Sequence, residues 1–154
     1  MKRQKIKLLI EQADRKLSVF SDIKNEPIPQ NGWIHTVRTT LRMSLRQFGE
    51  RLNMNPSSAK EIELREVSGA LTLRSLRNAA NALDMQLVYG LAPKGKSLEE
   101  VIEKRAIKLA EEIVLRTSHT MSLEDQENSE ERIRKAIQAQ AEELKNEMPK
   151  MLWD

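Results

Sequence analysis

A chain of 154 residues, 39% of them hydrophobic, can form one full-sized domain, or a small domain with an appendage. Aromatic residues make up only 3%, and helix-forming residues outweigh five Gly and five Pro, which predicts a mainly helical protein. The absence of Cys excludes disulfides and Cys-ligated zinc, and the two imidazoles, His35 and His119, lie far apart in sequence. With no glycine-rich phosphate loop and no nucleophile beside a base, we expect neither an enzyme nor a bound metal or cofactor.

The net charge of +3 is unevenly divided along the chain. Residues 1–24 carry seven Lys/Arg against three Asp/Glu, residues 25–96 carry ten against six, and residues 97–154 carry nine against 14. The basic residues 1–96 and the acidic residues 97–154 predict different binding partners. Charged side chains that only solvate helix faces explain the acidic part equally well. Neither a secretory signal nor an apolar run of roughly 18 residues is found, so we expect a cytoplasmic protein without membrane contact.

The first predicted element, in residues 1–24, is a helix whose apolar side chains form one stripe. The stripe consists of Ile6, Leu8, Leu9, Ile10, Ala13, Leu17 and Phe20. We expect this stripe to dock on another surface. Residues 25–31 follow as a linker, because the two prolines of NEPIPQNG remove backbone donors and restrict their neighbours.

Residues 32–96 form the next predicted unit, which contains four helices. The first covers about residues 33–43, with Trp33, Ile34, Val37 and Leu41 on its inner face. Three capping residues predict the following helix starts: Ser44, with Gln47 in a capping box, Asn55, before Pro56, and Thr72. These helices are expected at residues 44–52, 55–66 and 72–83. The predicted inward residues of the second and third helices include Leu45, Phe48, Gly49, Leu52, Ala59 and Ile62. The apolar residues of the fourth helix are Leu73, Leu76, Ala79, Ala80 and Leu83.

Residues 85–92, MQLVYGLA, have a β-prone composition and are closed by Pro93, which predicts a short strand. A lone strand leaves its backbone groups unpaired, so we expect it to pair with its twin across a two-fold axis. The residues predicted to make this dimer contact are Met85, Gln86, Leu87, Val88, Tyr89 and Leu91.

Residues 97–154 are predicted to be a helical C-terminal extension. Ser97 and Glu100 form a capping-box pattern that opens a helix to about residue 116. A polar loop at 117–128 leads to a last helix at 129–148. Each helix has an apolar stripe that needs cover. The two helices therefore pack on each other or on a dimer mate, or they bind a partner protein.

The stretch SLRQFGERLNMNPSSAKEIELRE, residues 44–66, looks like one amphipathic helix interrupted by Asn53, Met54 and Asn55. Such a break predicts a helix-turn-helix corner. Gly49 removes a side chain where the two helices approach, and Asn53 suits the left-handed turn. The outer face of helix 56–65 is then positioned to enter the DNA major groove, which admits one α-helix. The alternative is a plain corner inside a helical bundle.

The residues predicted to contact DNA lie on this outer face or at neighbouring helix starts. Hydroxyl, ammonium and carboxylate groups can bind base edges or phosphate, and helix N-termini offer N–H groups to phosphate. The full set is Ser44, Arg46, Gln47, Asn55, Ser57, Ser58, Lys60, Glu61, Arg65, Thr72 and Arg74. Glu61 and Glu63 oppose this interpretation because carboxylates repel phosphate. Glu63 is better explained as the local partner of an Arg.

Residues 32–92 resemble a lambda-repressor-like (Xre-type) domain. The stretches GWIHTVRTTLRMSLRQFGERL, REVSGALTLRSLRNAANALDMQLVYGLAPK and SLEE resemble the mobile mystery protein A family over about residues 5–115. Members of that family are similar to transcriptional regulators and are encoded beside a Fic-domain protein, as an antitoxin is beside its toxin. The resemblance implies DNA binding by the outer face of residues 56–65.

The chain departs from the wider Xre-type pattern at two positions. Leu45 stands where such domains usually carry a glutamine, and Pro56 replaces a frequent base-contacting residue. The stretch Thr120-Met-Ser-Leu-Glu124 resembles the inhibitory motif of antitoxins that act on Fic proteins. Asp125 follows it in place of the usual Gly or Asn, so the match is incomplete.

These observations predict a sequence-specific DNA-binding regulator, antitoxin-like and autoregulatory, that acts as a homodimer on double-stranded DNA. The alternative is a protein-interaction module whose acidic C-terminal helices bind and inhibit a Fic-type partner. RNA is a weaker candidate, because the aromatic side chains that stack on single strands are nearly absent.

Overall fold

The computed structural model describes residues 2–118 and 126–154, and it confirms the mainly helical class. The described residues form seven α-helices and one short 3-10 helix at Lys150–Trp153. The α-helices are α1 (Lys2–Ser21), α2 (Gly32–Thr40), α3 (Leu45–Arg51), α4 (Pro56–Ser68), α5 (Leu73–Ala82), α6 (Leu98–Ser118) and α7 (Gln126–Glu147).

The contacts within the chain divide it into two compact units. Residues 25–90 form one of them, here called the corner unit. Residues 1–24 and 91–154 form the other, here called the terminal unit, so that α1 shares a unit with α6 and α7.

The core of the corner unit is built around Phe48, which is fully buried. The other buried apolar members of this core are Ile34, Ala59, Ala79, Ala82 and Leu83. Trp33 and Leu41 were expected to point inward, but both are exposed. The inner positions of α2 belong to Ile34 and Arg38 instead, and Leu41 follows the last residue of the helix.

Three helix starts in the corner unit follow the capping predictions. The Ser44 hydroxyl accepts from the Gln47 N–H at 3.1 Å, and the Gln47 side chain accepts from the Ser44 N–H at 2.8 Å, which completes the capping box. Asn55 Oδ1 accepts from the Ser58 N–H at 2.7 Å, and the Thr72 hydroxyl accepts from the Ser75 N–H at 3.1 Å. Each cap satisfies a donor that the first helical turn leaves unpaired.

The terminal unit is held together by a seam of small residues between α6 and α7. Ala106, Ala110 and Ala141 are buried there, and their short side chains let the two helices approach closely. Leu152, from the 3-10 helix, is fully buried in the same cluster. The Arg105 guanidinium donates to the Leu152 and Asp154 carbonyls, which fixes the C-terminal residues against α6.

The predicted capping box at the start of α6 forms only in part. The Ser97 hydroxyl accepts from the Glu100 N–H at 3.1 Å, but the Glu100 carboxylate accepts from the Lys96 N–H rather than from Ser97. Asp14 of α1 completes the cap, since its carboxylate accepts from the Leu98 N–H at 2.7 Å. A carboxylate at this end is also favoured by the helix dipole.

The predicted strand is not found among the described residues, and residues 85–93 have neither helical nor strand structure. At one end of the segment, the Met85 N–H donates to the Ala80 carbonyl at 2.9 Å. At the other end, the Pro93 carbonyl accepts from Lys24 at 3.1 Å. A strand requires a pairing partner, so pairing with a second copy stays a prediction. No helix in the described ranges is long and apolar enough to cross a membrane.

Candidate nucleic-acid interface

The joint between α3 and α4 is a tight corner. Asn53 has a φ of 56°, in the left-handed region, as the sequence predicted. The Met54 N–H donates to the Gly49 carbonyl at 2.9 Å, and a Cβ added to Gly49 would lie 2.6 Å from the Met54 carbonyl oxygen. Only glycine fits this approach of two backbones, so Gly49 has the role that the sequence predicted.

Two different faces of α4 result from this corner. Ala59 and Glu63 are buried, with Ile62 and Glu66 partly buried beside them. The opposite face is exposed along its length and carries two hydroxyls, charged groups and the large apolar side chain of Leu64. Its exposed members are Ser57, Lys60, Glu61, Leu64, Arg65 and Ser68.

Every residue predicted to contact DNA is exposed, and they fall in three places of the corner unit. Ser44, Arg46 and Gln47 lie at the start of α3, and Thr72 and Arg74 lie at the start of α5. The remaining six are on α4 or at its N-cap: Asn55, Ser57, Ser58, Lys60, Glu61 and Arg65. Three helix starts with exposed polar residues are suited to phosphate oxygens.

Several of these side chains already have partners within the corner unit. The acceptor oxygens of Ser44, Asn55 and Thr72 serve as caps. The Thr72 O–H also donates to the Ser75 hydroxyl at 3.0 Å, so donors remain for a ligand on Ser44 and Asn55. Two exposed ion pairs also lie here, Arg46 with Glu50 at 2.7 Å and Arg65 with Glu61 at 3.4 Å. Exposed pairs of this kind are weak, so a phosphate can compete for either arginine.

A charged cluster lies beneath the exposed face. Glu63 is 2% exposed and Arg38 of α2 is 7% exposed, and the Arg38 Nε donates to Glu63 Oε1. His35 Nδ1 lies 3.1 Å from Glu63 Oε2, and Lys60 Nζ lies 3.6 Å from the same oxygen. The expectation that Glu63 partners an Arg is therefore confirmed.

Burial alone would raise the pKa of the Glu63 carboxyl, because the charged form loses water. Hydrogen bonds from Arg38 and His35 outweigh this effect, and the pKa of Glu63 lies below its ordinary value. Arg38 extends the cluster further, since its second guanidinium nitrogen donates to the Met43 carbonyl at 2.8 Å. The cluster thus connects α2 to α4 and also to Met43, the residue before the N-cap of α3.

Glu66 is a structural residue that the sequence analysis missed. Its carboxylate accepts from the Trp33 and Ile34 N–H groups, both at 2.8 Å, and so caps α2 from a helix 32 residues further along. Asn31, the residue at the cap position, makes no side-chain capping bond. Two features of the sequence could have indicated this cap. The start of α2 has no local capping side chain, and α4 carries an acidic residue on its inner face.

The residues predicted for dimerisation lie on the segment that lacks regular structure. Val88 is 70% exposed and Tyr89 is 63% exposed, and Met85 and Leu91 are also exposed apolar residues. Gln86 is exposed and Leu87 is partly buried. Large apolar side chains exposed within seven residues are typical of an interaction segment.

The alternative site in the acidic C-terminal helices has less support. The apolar stripes of α6 and α7 contribute to one core, so they do not need a partner protein to cover them. The incomplete motif at residues 120–125 lies outside the described residues. Within the described ranges, no group of three or more His, Asp or Glu side chains is arranged to hold a metal ion.

No family model matches the chain, and neither a curated protein nor a solved structure matches it.

Proposed function

We propose that the corner unit binds double-stranded DNA sequence-specifically and that the protein is a transcriptional regulator of the lambda-repressor-like, helix-turn-helix type. The observation that carries this proposal is the exposed polar face of α4, which begins at a tight corner and has a basic residue, Arg65, in its last turn. An α-helix mounted in this way fits the major groove, where each base pair presents its own donor and acceptor pattern.

The exposed groups on α4 match the chemistry of base edges. Lys60 can donate to guanine, Glu61 can accept from cytosine, and Ser57 can do either. Leu64, which is 51% exposed on the same face, can contact a thymine methyl group. A reading surface of this kind distinguishes sequences, because each wrong base leaves one of these groups without its partner.

The helix starts supply the contacts that carry no sequence information. Arg46 and Arg74 stand near the N-termini of α3 and α5, where Ser44 and Thr72 also have exposed hydroxyls. Residues 25–90 carry eight Lys/Arg against six Asp/Glu, and this small positive excess favours a polyanion. Contacts to phosphate fix the register of the protein on the duplex and make binding depend on salt.

The regulator is proposed to act as a homodimer, because one reading helix covers few base pairs and two half-sites multiply the discrimination. The exposed segment 85–91 supports this arrangement, since pairing with its twin would satisfy its backbone groups and cover Val88 and Tyr89. The resemblance to the mobile mystery protein A family favours an antitoxin-like, autoregulatory role in the cytoplasm.

The experiment uses the full chain and a duplex that it enriches from a random pool, with a scrambled duplex of equal composition as the control. We expect Lys60→Ala to weaken binding to the enriched duplex by about 1–3 kcal/mol if Lys60 reads a base. Arg46→Ala is the matched control, and we expect it to weaken both duplexes alike and to lower the salt slope by about 1. If the wild-type protein enriches no sequence, or prefers it no more than the scrambled duplex, the proposal is wrong.

Sedimentation of the same protein tests the dimer. We expect a dimer that Tyr89→Glu converts to a monomer, because a buried carboxylate would lie at the two-fold contact. A wild-type monomer on DNA and off it would contradict this part of the proposal.

A further inference from the structure

Lys60 is anchored in a way that the other basic residues of the exposed α4 face are not. Its ammonium lies 3.6 Å from Glu63 Oε2, one turn further along the same helix. The Lys60 side chain is 45% exposed, whereas that of Glu63 is 2% exposed. A side chain that reaches solvent thus forms an ion pair with a buried carboxylate, at a distance longer than a hydrogen bond.

Glu63 is itself fixed from a second helix. Arg38 of α2 donates from Nε to Oε1, and its terminal nitrogen lies 3.4 Å from Oε2. His35, one turn before Arg38, contacts the same Oε2 at 3.1 Å. Since Arg38 already balances the charge of Glu63, the ion pair leaves the positive charge of Lys60 available towards solvent.

The exposed arginines nearby provide the contrast. Arg65 pairs with Glu61, and Arg46 pairs with Glu50, but both carboxylates are themselves exposed and free to change rotamer. A lysine is a compact charge on a flexible stem, and fixing it in one geometry costs rotamer entropy when it binds. A carboxylate that already fixes the lysine reduces this entropy cost. The reduction applies only when the atom to be bound lies in the direction in which the ammonium is fixed.

We propose that Glu63 is a positioning residue that acts through Lys60, holding its ammonium in the direction from which it reads one base position. This inference rests on the proposed DNA-binding function and names the residue that sets its specificity. Glu63 itself does not touch DNA, because its carboxylate is buried. Its effect appears in the preference of Lys60 for one sequence and not in the attraction to phosphate in general.

A double-mutant cycle in DNA binding tests the proposal. The proteins are wild type, Glu63→Gln, Lys60→Met and the double variant, each titrated with the enriched and the scrambled duplex. We expect Glu63→Gln to lower the ratio of the two affinities about three- to five-fold when Lys60 is present, from the lost ordering of one long side chain. In the Lys60→Met background, the same change should have no further effect on the ratio.

The cycle separates positioning from a purely structural role. A Glu63→Gln effect of equal size in both backgrounds would mean that Glu63 supports the fold and not Lys60, and would overturn the inference. Wild-type binding that prefers the enriched duplex, together with zero coupling, overturns the inference alone. Equal wild-type binding to both duplexes overturns the proposed function and the inference with it.

A second measurement needs no variant at residue 63 and applies if Glu63→Gln does not fold. Nuclear magnetic resonance of the lysine side chains in the DNA-free wild-type protein compares Lys60 with Lys108, an exposed lysine of α6. We expect a higher order parameter and slower ammonium proton exchange for Lys60. Equal mobility of the two side chains would show that Glu63 does not hold Lys60, and the inference would be wrong.

Discussion

Each unit buries three alanines, but the interior of the corner unit also contains Phe48 and a buried ion pair, whereas the buried cluster of the terminal unit is completed by Ile102, Leu144 and Leu152. The buried charged residues of the described chain, Arg38 and Glu63, both belong to the corner unit. Burying an ion pair costs desolvation and stabilises a fold less than an apolar pair of the same size does. Stability alone therefore does not explain the ion pair beneath the exposed face of α4, and the positioning of Lys60 proposed above would give it a function.

The two units also share one device. In each of them, a carboxylate from a different helix caps a helix start: Glu66 caps α2, and Asp14 caps α6. Both helices begin at positions where the local sequence supplies an incomplete cap. Carboxylates thus have two uses in this protein. In both units a carboxylate completes a helix start, whereas the buried carboxylate of Glu63, on α4, pairs with positively charged side chains.

The largest expected effect comes from removing Arg38. In Arg38→Leu, the Glu63 carboxylate stays buried without its main partner, and we expect a loss of about 3–5 kcal/mol in the free energy of unfolding. Urea denaturation followed by circular dichroism measures it. The control is the double variant Arg38→Met with Glu63→Leu, which should recover most of the loss. A double variant as unstable as the single one would contradict the contrast between the two interiors.

The same pair also predicts how acid acts on the corner unit. The folded-state pKa of Glu63 is lowered, so its ionised form stabilises the fold above the unfolded glutamate value of about 4.3. That contribution is lost as the pH falls through the lower folded value. The double variant without Glu63 should therefore lose less stability in this acid range than the wild-type protein, and equal acid profiles would argue against the pair.

Leu152→Ala tests the apolar interior of the terminal unit. The side chain is fully buried, so we expect a cost of about 2–5 kcal/mol from lost burial and the cavity left behind. Met151→Ala, at the exposed neighbouring position, is the control and should change stability by about 0.5 kcal/mol or less. Hydrogen exchange of the α6 amides locates the loss, and a loss confined to α2–α5 would contradict the division into units.

Gly49→Val tests the corner itself. Its Cβ would lie 2.6 Å from a backbone oxygen that cannot move aside cheaply, and we expect a loss of about 1–3 kcal/mol together with impaired DNA binding. Ala136→Val, on an exposed position of α7, is the control and costs about 0.5 kcal/mol from helix propensity alone. Thermal unfolding and binding titrations measure both variants, and similar values for the two would show that the corner tolerates a side chain.

The smallest expected effects come from the shared caps. Glu66→Ala and Asp14→Ala should each cost about 1 kcal/mol, because each leaves two N–H groups of a helix start without a charged acceptor. Glu50→Ala removes an exposed carboxylate that caps nothing, and should cost about 0–0.5 kcal/mol. If the three variants are equally stable by urea denaturation, the two long-range caps are not structural devices.

The local features of the corner unit were predictable because their causes lie within a few residues. Ser44 and Gln47, Asn55 and Ser58, and Thr72 and Ser75 are each three residues apart, so a helix start brings them together. The left-handed φ of Asn53 follows from the same short stretch. The exposure of the candidate DNA-contacting residues followed from helical periodicity and from the position of the corner.

Three expectations were less successful, for related reasons. Trp33 was placed inward because of its hydrophobicity, but a buried arginine occupies the inner face of α2, which no hydrophobic pattern predicts. The Ser97 capping box forms in part because Asp14 satisfies the helix start from another helix. The strand at 85–92 depends on a pairing partner, so composition cannot produce it in one chain.

The amino-acid sequence by itself determined where most helices begin, where the corner turns and which face of α4 is polar, because these depend on side chains one helical turn apart. The tertiary structure alone decided that Glu63 meets Arg38 and His35, that Glu66 caps α2 and that Leu152 enters the core of the terminal unit. These contacts join residues 25 to 47 positions apart in sequence, and they form only when packing of the helices has already fixed both partners.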